Sequence, residues 1–121
     1  LSYASFDYHH IWTSGHEVAL GDSITISADL TNQGDVAADE VVQLYVRDLV
    51  ASITRPVKEL KGFRRVRLEA GESTRVEFVL HTDNLSFFGR DMKITTEPGE
   101  FHAWIGGSSE AQLRTEFRII S

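Results

Sequence analysis

The sequence predicts an all-β protein, an antiparallel β-sandwich of about seven to eight strands. Short runs in which apolar and polar residues alternate recur along the 121 residues, and turn-forming residues separate these runs. No stretch shows the 3.6-residue apolar repeat of an amphipathic helix. Because the pattern contains no helices that could cover a parallel sheet, we expect two antiparallel sheets that pack face to face.

The first half of the chain carries the clearest strand signals. We predict a first strand at residues 3–12 and, after the turn residues at 21–22, a second strand at 23–31 with strict alternation. The stretch NQGD at 32–35 should form a turn, since Asn and Gly tolerate positive φ. This turn leads to a strand at 40–48, in which apolar residues again occupy every second position.

The run EVVQLYVRDLVASITRPVKELKGF at 40–63 joins this strand to the next one through an Arg-Pro break. Pro56 has no amide hydrogen, and it biases Arg55 toward extended geometry. We therefore expect the segment between the two strands to be an ordered crossover rather than a tight hairpin.

The strand predicted at 58–68 has a change of phase in its pattern. Leu60 and Leu68 fall on one face of the predicted strand, whereas Phe63 falls on the other face. Gly62 lies where the phase changes, and a glycine inside a strand often marks a bulge. We predict a bend at Gly62 that changes the direction of the Phe63 side chain.

The remaining predicted elements are short. They are a strand at 73–80, one helical turn at 82–85, and strands at 92–95, 101–106 and 115–120. The alternation within the strands also predicts the core. Six residues on the inner faces should be buried: Ile26, Leu44, Val46, Phe78, Phe101 and Ile105.

Composition argues against several classes of function. The formal net charge of −6, with basic residues scattered apart from a short cluster at 64–67, is unlike the basic footprint of a nucleic-acid-binding protein. The sequence contains no cysteine, which excludes disulfides, thiolate metal sites and a Cys nucleophile. No apolar run approaches the roughly 20 residues of a membrane-spanning helix, so we expect no membrane association.

The length suits a single domain spanning residues 1–121. The chain begins with Leu1-Ser2-Tyr3 and lacks both an initiator Met and a signal-peptide pattern, which suggests a segment of a longer protein.

Three motifs, in this order and spacing, resemble a known family. They are VVQLYV at 41–46, RPVKELKGF at 55–63 and EPGEF at 97–101. The chain resembles the fibronectin type III-like domain at the C-terminal end of glycoside hydrolase family 3 enzymes, and the resemblance covers nearly its whole length.

The resemblance implies a parent enzyme that hydrolyses terminal β-linked sugars with retention, as a β-glucosidase or a β-xylosidase. Retention needs two carboxyl groups about 5 Å apart, and in this family other domains supply them. The resemblance therefore implies a non-catalytic accessory domain without a cofactor. Its partners would be the preceding catalytic domains, and homodimer contacts could add a second copy of the protein. It also implies a periplasmic or secreted location.

Two regions are candidates for contact with a partner. The first is the crossover and the start of the following strand, where a rigid proline stands among charged residues that could form hydrogen bonds with the catalytic domains. The residues predicted to dock there are Ser52, Arg55, Pro56, Lys58 and Glu59. Solvated charges without a partner are the alternative interpretation.

The second candidate is an exposed apolar patch formed by Val41, Tyr45 and Trp104. The core-facing residues of strand 101–106 turn Trp104 outward, next to the outward face of strand 40–48. Such a patch could dock on a domain or subunit, or stack on a sugar as in a carbohydrate-binding module. Alternatively, long neighbours such as Arg47 or Arg118 could cover it.

Histidines and paired carboxylates are interpreted structurally. The five histidines lack the spacing of metal ligands, and the adjacent residues His9 and His10 should point to opposite faces of a strand, so we expect no metal site. Glu97 and Glu100 flank Pro98-Gly99 and are best explained as residues of a solvated turn. We therefore expect no catalytic residue in this chain.

Overall fold

The computed structural model describes residues 4–49, 58–85, 87–88, 94–95 and 98–121, with the backbone alone at 87–88 and 94–95. The strands of this part are β1 (Phe6–Thr13), β2 (Glu17–Ala19), β3 (Ser23–Asn32), β4 (Ala38–Asp48), β5 (Glu59–Leu68), β6 (Ser73–His81), β7 (Phe87–Phe88), β8 (Ile94–Thr95), β9 (Gly99–Gly106) and β10 (Arg114–Ile120). One turn of 3-10 helix, Thr82–Leu85, follows β6, as predicted.

Two sheets form the sandwich. One has three strands in the order β1-β3-β6, and the other has five strands in the order β2-β10-β9-β4-β5. Their pairs are antiparallel except that β2 runs parallel to β10, and β7 and β8 form a separate two-stranded sheet. The predicted all-β sandwich is confirmed. The sequence did not predict β2, because its three residues are too few to show an alternation.

The core lies between the inner faces of the two sheets. All six residues predicted from the alternation are buried there. Phe101 stacks on Phe117 with ring centroids 5.3 Å apart and planes inclined by only 6°. Apolar burial on this scale is the main stabilising contribution in a domain without disulfides.

One polar contact also joins the two sheets. The Tyr8 hydroxyl in β1 donates a hydrogen bond of 2.8 Å to Oε2 of Glu40 in β4. Burial of the hydroxyl, followed by this hydrogen bond to a carboxylate, raises the pKa of Tyr8 well above its ordinary value. The hydroxyl therefore remains a hydrogen-bond donor throughout the neutral pH range.

A β-bulge interrupts β5 where the sequence predicted a bend. Leu44 pairs with Gly62 but Tyr45 pairs with Leu60, so Lys61 is the extra residue. The bulge places Leu60 and Phe63 on the same face, which points away from the core. The expectation that Leu60 shares a face with Leu68 is wrong, because the inserted residue reverses the alternation between them.

A second bulge interrupts β1. His9 pairs with Asp29 and Trp12 pairs with Ser27, so His10 and Ile11 together lie opposite a single residue of β3. His10 adopts a left-handed backbone with φ of 54°. As a result the rings of His9 and His10 come together, with centroids 4.8 Å apart. The expectation that these rings point to opposite faces is wrong, because it assumed a regular strand.

Within the described residues, no helix has the length and apolar character needed to cross a bilayer.

Candidate functional site

The face of the five-stranded sheet that points away from the core holds four of the five predicted contact residues that the structure describes. Neighbouring strands place Tyr45 of β4 between Trp104 of β9 and Leu60 of β5. Gln43 of β4 lies opposite Phe63 of β5. The predicted neighbourhood of Tyr45 and Trp104 is therefore correct.

The predicted exposure of Trp104 is wrong, since only 8% of this residue is accessible to solvent. The Lys58 ammonium lies 4.4 Å from the centroid of the indole ring, and the Arg47 guanidinium lies 5.4 Å from it. His102 adds an edge-on contact at 5.9 Å. The cations are attracted by the π face of the indole, so the long side chains close over the ring.

Lys58 is fixed in this position by its own domain. Its Nζ donates hydrogen bonds to the carbonyl oxygens of Ser109 at 2.7 Å and Ala111 at 3.0 Å. Burial, assisted by the nearby charge of Arg47, lowers the pKa of Lys58. The ammonium is therefore engaged within the domain, and the predicted contact of Lys58 with another domain stays a prediction.

The exposed apolar residues of this face lie closer to the sheet edge than the sequence predicted. Val41 is 43% exposed, Leu60 is 49% exposed and Phe63 is 71% exposed. We call these three residues the outer apolar surface. Val41 was predicted from the alternation of β4, whereas Leu60 and Phe63 were missed because the bulge in β5 decides their common direction.

Tyr45 and Glu59, the two remaining predicted residues that the structure describes, contact different groups. Tyr45 is half-buried, and its hydroxyl donates a hydrogen bond to Oε1 of Gln43. Glu59 forms an ion pair of 3.0 Å with Lys61, which lies within the same strand. The predicted docking residues Ser52, Arg55 and Pro56 lie outside the described residues, so their role stays a prediction.

A groove of about 550 Å³ lies beside strands β9 and β10, and its lining includes the carboxylates of Glu100 and Glu116. Glu100 forms an ion pair of 2.6 Å with Arg118, and Glu116 lies 3.5 Å from His102 and 3.6 Å from Arg114. Burial, followed by the charge of Arg114, lowers the pKa of His102. Both carboxylates are solvated and paired with cations, so neither occupies the apolar pocket that a glycosidase acid requires.

The histidine cluster on β1 is the only group in the described residues that combines three metal-ligating side chains. One donor atom from each of His9, His10 and Asp29 lies within 4.8 Å of the other two. Sequence reasoning missed this group because it depends on the bulge and on the register between β1 and β3.

Comparison with known proteins identifies the domain. The profile of the family described as "Fibronectin type III-like domain" matches residues 40–109. A putative β-xylosidase of Formosa agariphila is 40% identical over 119 residues, which cover 98% of this chain and 16% of that protein. A periplasmic β-glucosidase of Salmonella typhimurium is 34% identical over 99% of this chain and 16% of its own length.

The solved structures that are similar to this chain include β-glucosidases as well. A β-glucosidase from Erythrobacter marinus superposes with a TM-score of 0.89 at 38% identity, covering 99% of this chain and 16% of that protein. A β-glucosidase from Listeria innocua in complex with glucose superposes with a TM-score of 0.85 at 37% identity, covering 100% and 17% respectively. The chain thus spans about a sixth of the length of these relatives. It belongs to the fibronectin type III-like domain family, in the form found in glycoside hydrolases of family 3.

Proposed function

We propose that this chain is a non-catalytic accessory domain of a glycoside hydrolase that removes terminal β-linked glucosyl or xylosyl residues. Its role is to stabilise the catalytic domains of the same polypeptide by docking on them. The outer apolar surface is the observation that carries this proposal, because it exposes three large apolar side chains on one sheet face.

The two carboxylates of the groove beside β9 and β10 support a non-catalytic role. A retaining glycosidase needs one carboxyl group that stays protonated near neutral pH, which requires an apolar environment. Glu100 and Glu116 are instead exposed and lie beside Arg118 and Arg114. The catalytic pair is therefore assigned to the remainder of the polypeptide.

The identity of the docking partner rests on the extent of the similarity. Each of the relatives named above matches this chain over only 16% or 17% of its own length. A domain embedded in so large a polypeptide has neighbours that can cover Val41, Leu60 and Phe63. Burial of apolar area contributes roughly 25 cal/mol per Å², so even a small contact would stabilise the whole protein measurably.

The first experiment compares two exposed aromatic residues in the full-length hydrolase. Phe63→Ser removes the most exposed member of the outer apolar surface, whereas Trp12→Ser removes a residue of β1 in the opposite sheet that is 51% exposed. We expect Phe63→Ser to destabilise the full-length protein more than the 121-residue chain alone, where the loss of this highly exposed residue should cost no more than about 0.5 kcal/mol. Trp12→Ser should destabilise both by the same amount, because the covered half of its ring is covered by its own domain. An unchanged melting temperature of full-length Phe63→Ser contradicts the docking proposal.

The second experiment measures turnover and sugar binding by the 121-residue chain alone. We expect no hydrolysis of aryl β-glucosides or aryl β-xylosides, and no saturable heat on titration with cello- or xylo-oligosaccharides. Turnover would contradict the non-catalytic role. Saturable binding that is abolished by Trp104→Ala would instead favour a carbohydrate-binding module, although Lys58 and Arg47 cover that ring.

A further inference from the structure

Two histidines and two aspartates meet on the three-stranded sheet, at the bulge of β1. His10 Nδ1 lies 3.2 Å from Asp29 Oδ2, and His9 Nδ1 lies 3.0 Å from Asp7 Oδ2. One donor atom from each of His9, His10 and Asp29 lies within 4.8 Å of the other two. The two histidines lie on β1 and Asp29 lies on β3, so the cluster forms only when these two strands pair.

We propose that His9, His10 and Asp29 form a binding site for a divalent transition metal of the Zn²⁺ class, with water as the fourth ligand. Two imidazole nitrogens and one carboxylate are a donor set that suits Zn²⁺, Ni²⁺ and Cu²⁺ better than the hard cations Mg²⁺ and Ca²⁺. The site is separate from the outer apolar surface, which lies on the other sheet.

The distances fit a tetrahedral ion after a small adjustment. Ligands at the usual 2.0 to 2.1 Å from Zn²⁺ are separated from each other by about 3.3 Å. The pair formed by His10 and Asp29 already has this separation, at 3.2 Å. The wider separation within the group requires movement of a side chain, and His10 can provide it because 78% of its side chain is exposed.

Neighbouring groups hold the ligands in orientations that favour a metal. A carboxylate that accepts from one imidazole nitrogen fixes the tautomer and leaves the other nitrogen as the metal ligand, and Asp7 is placed to do this for His9. Arg75 contacts Oδ1 of Asp29 at 3.4 Å, so Oδ2 remains on the side of His10. With neutral imidazoles, the two carboxylates outweigh the one guanidinium, and the group has a negative charge that attracts a cation.

The backbone at His10 is unusual for a structural residue. A φ of 54° lies in the left-handed region, which Asn, Asp and His adopt more often than other residues with a side chain but which still costs stability. This conformation is what turns the His10 ring toward His9 and Asp29. An ordinary extended residue at position 10 would separate the two rings and remove the site.

The experiment is calorimetric titration of the untagged 121-residue chain with ZnCl₂, with CaCl₂ as the hard-cation comparison. The chain has its own continuous core between two sheets, which supports its use as an isolated domain. We expect one saturable Zn²⁺ site, no saturable Ca²⁺ site, and a melting temperature that rises with Zn²⁺ concentration. Titration with Co²⁺ should give the visible absorption of a tetrahedral site.

Matched variants assign the site to these residues. His10→Asn removes the imidazole but keeps a residue that tolerates positive φ, and Asp29→Asn removes the carboxylate without changing its shape. We expect each change to weaken Zn²⁺ binding by at least about tenfold. His16→Gln replaces an exposed histidine elsewhere and should leave binding unchanged. The proposal is overturned if Zn²⁺ gives no saturable heat, or if folded His10→Asn and Asp29→Asn chains, checked by their thermal transitions, bind it as tightly as the original.

Discussion

Lys58 illustrates how a single side chain determines which aromatic surface the domain presents. Trp104 points away from the core, as the alternation of β9 predicts, yet the ammonium of Lys58 lies over its ring. The carbonyl oxygens of Ser109 and Ala111 hold the ammonium there. Lys58 therefore connects the start of β5 to the loop after β9 within the domain.

We predict that Lys58→Ala opens Trp104 to solvent. The change removes both the cation over the ring and the apolar stem that carries it, so small quenchers should reach the indole. The measurement is acrylamide quenching of tryptophan fluorescence in a Trp12→Phe background, because Trp12 is the other tryptophan and is exposed.

Lys58→Met serves as the control for this prediction. It keeps an unbranched stem of similar length and should retain most of the cover. If Lys58→Ala leaves the quenching constant unchanged, then Arg47 and His102 suffice to cover Trp104, and Lys58 is not the side chain that closes the ring off from solvent.

At the scale of single elements, the two bulges decide where side chains go. The bulge at Lys61 puts Leu60 and Phe63 on one face, and the bulge at His10 brings His10 beside His9. β5 is also an edge strand of its sheet, where bulges are common because they discourage pairing with other chains. Both elements could be predicted as strands, but only the first bulge had a signal in the sequence, the glycine at position 62.

We predict that Gly62→Ala destabilises the domain, although Gly→Ala within a strand is usually favourable. A Cβ at position 62 would lie 3.1 Å from Cδ1 of Phe78, which is tighter than ordinary van der Waals contact. The Phe78 ring is buried and must shift, so we expect a loss of about 1 to 3 kcal/mol in the free energy of unfolding. Chemical denaturation measures this change.

Gly15→Ala is the matched substitution for this comparison. Its Cβ would meet only the carbonyl oxygen of Glu17, at an ordinary 3.6 Å, and the residue has no positive φ. We expect it to be neutral or slightly stabilising. Equal effects of the two substitutions would show that the close approach of Gly62 to Phe78 is not what selects glycine there.

At the scale of the whole molecule, the two sheets share one core without disulfides, so stability depends on a few large side chains. We predict that Phe101→Ala lowers the free energy of unfolding by about 3 to 5 kcal/mol, because the ring is fully buried and stacked on Phe117. Whole domains are often stable by only about 5 to 15 kcal/mol, so the variant should be close to unfolding.

Phe63→Ala is the control for the core prediction, and chemical denaturation of the 121-residue chain is the measurement. Phe63 has the same side chain as Phe101 but is 71% exposed, so its truncation should cost little in the isolated domain. A small loss for Phe101→Ala, comparable to that for Phe63→Ala, would show that the Phe101 ring contributes little to the packing between the sheets.

The sequence by itself determined the fold class, the main strands of the two sheets and the buried faces of β3, β4, β6 and β9. These features depend on local alternation and on turn residues such as those at 32–35, which act over a few positions. Because apolar faces must meet, the alternation also determined the core. The family motifs identified the domain for the same reason, since they lie within contiguous stretches of chain.

Only the tertiary structure decided which residues are available for contact. The cover over Trp104 comes from Lys58 and Arg47, which lie far from it in the sequence. The outer apolar surface depends on a bulge in β5, and the candidate metal site depends on a bulge in β1 together with its register against Asp29. The exposure of a side chain and the clustering of side chains depend on contacts between segments that are distant in the sequence. A one-residue shift in strand pairing moves a side chain to the other face of the sheet.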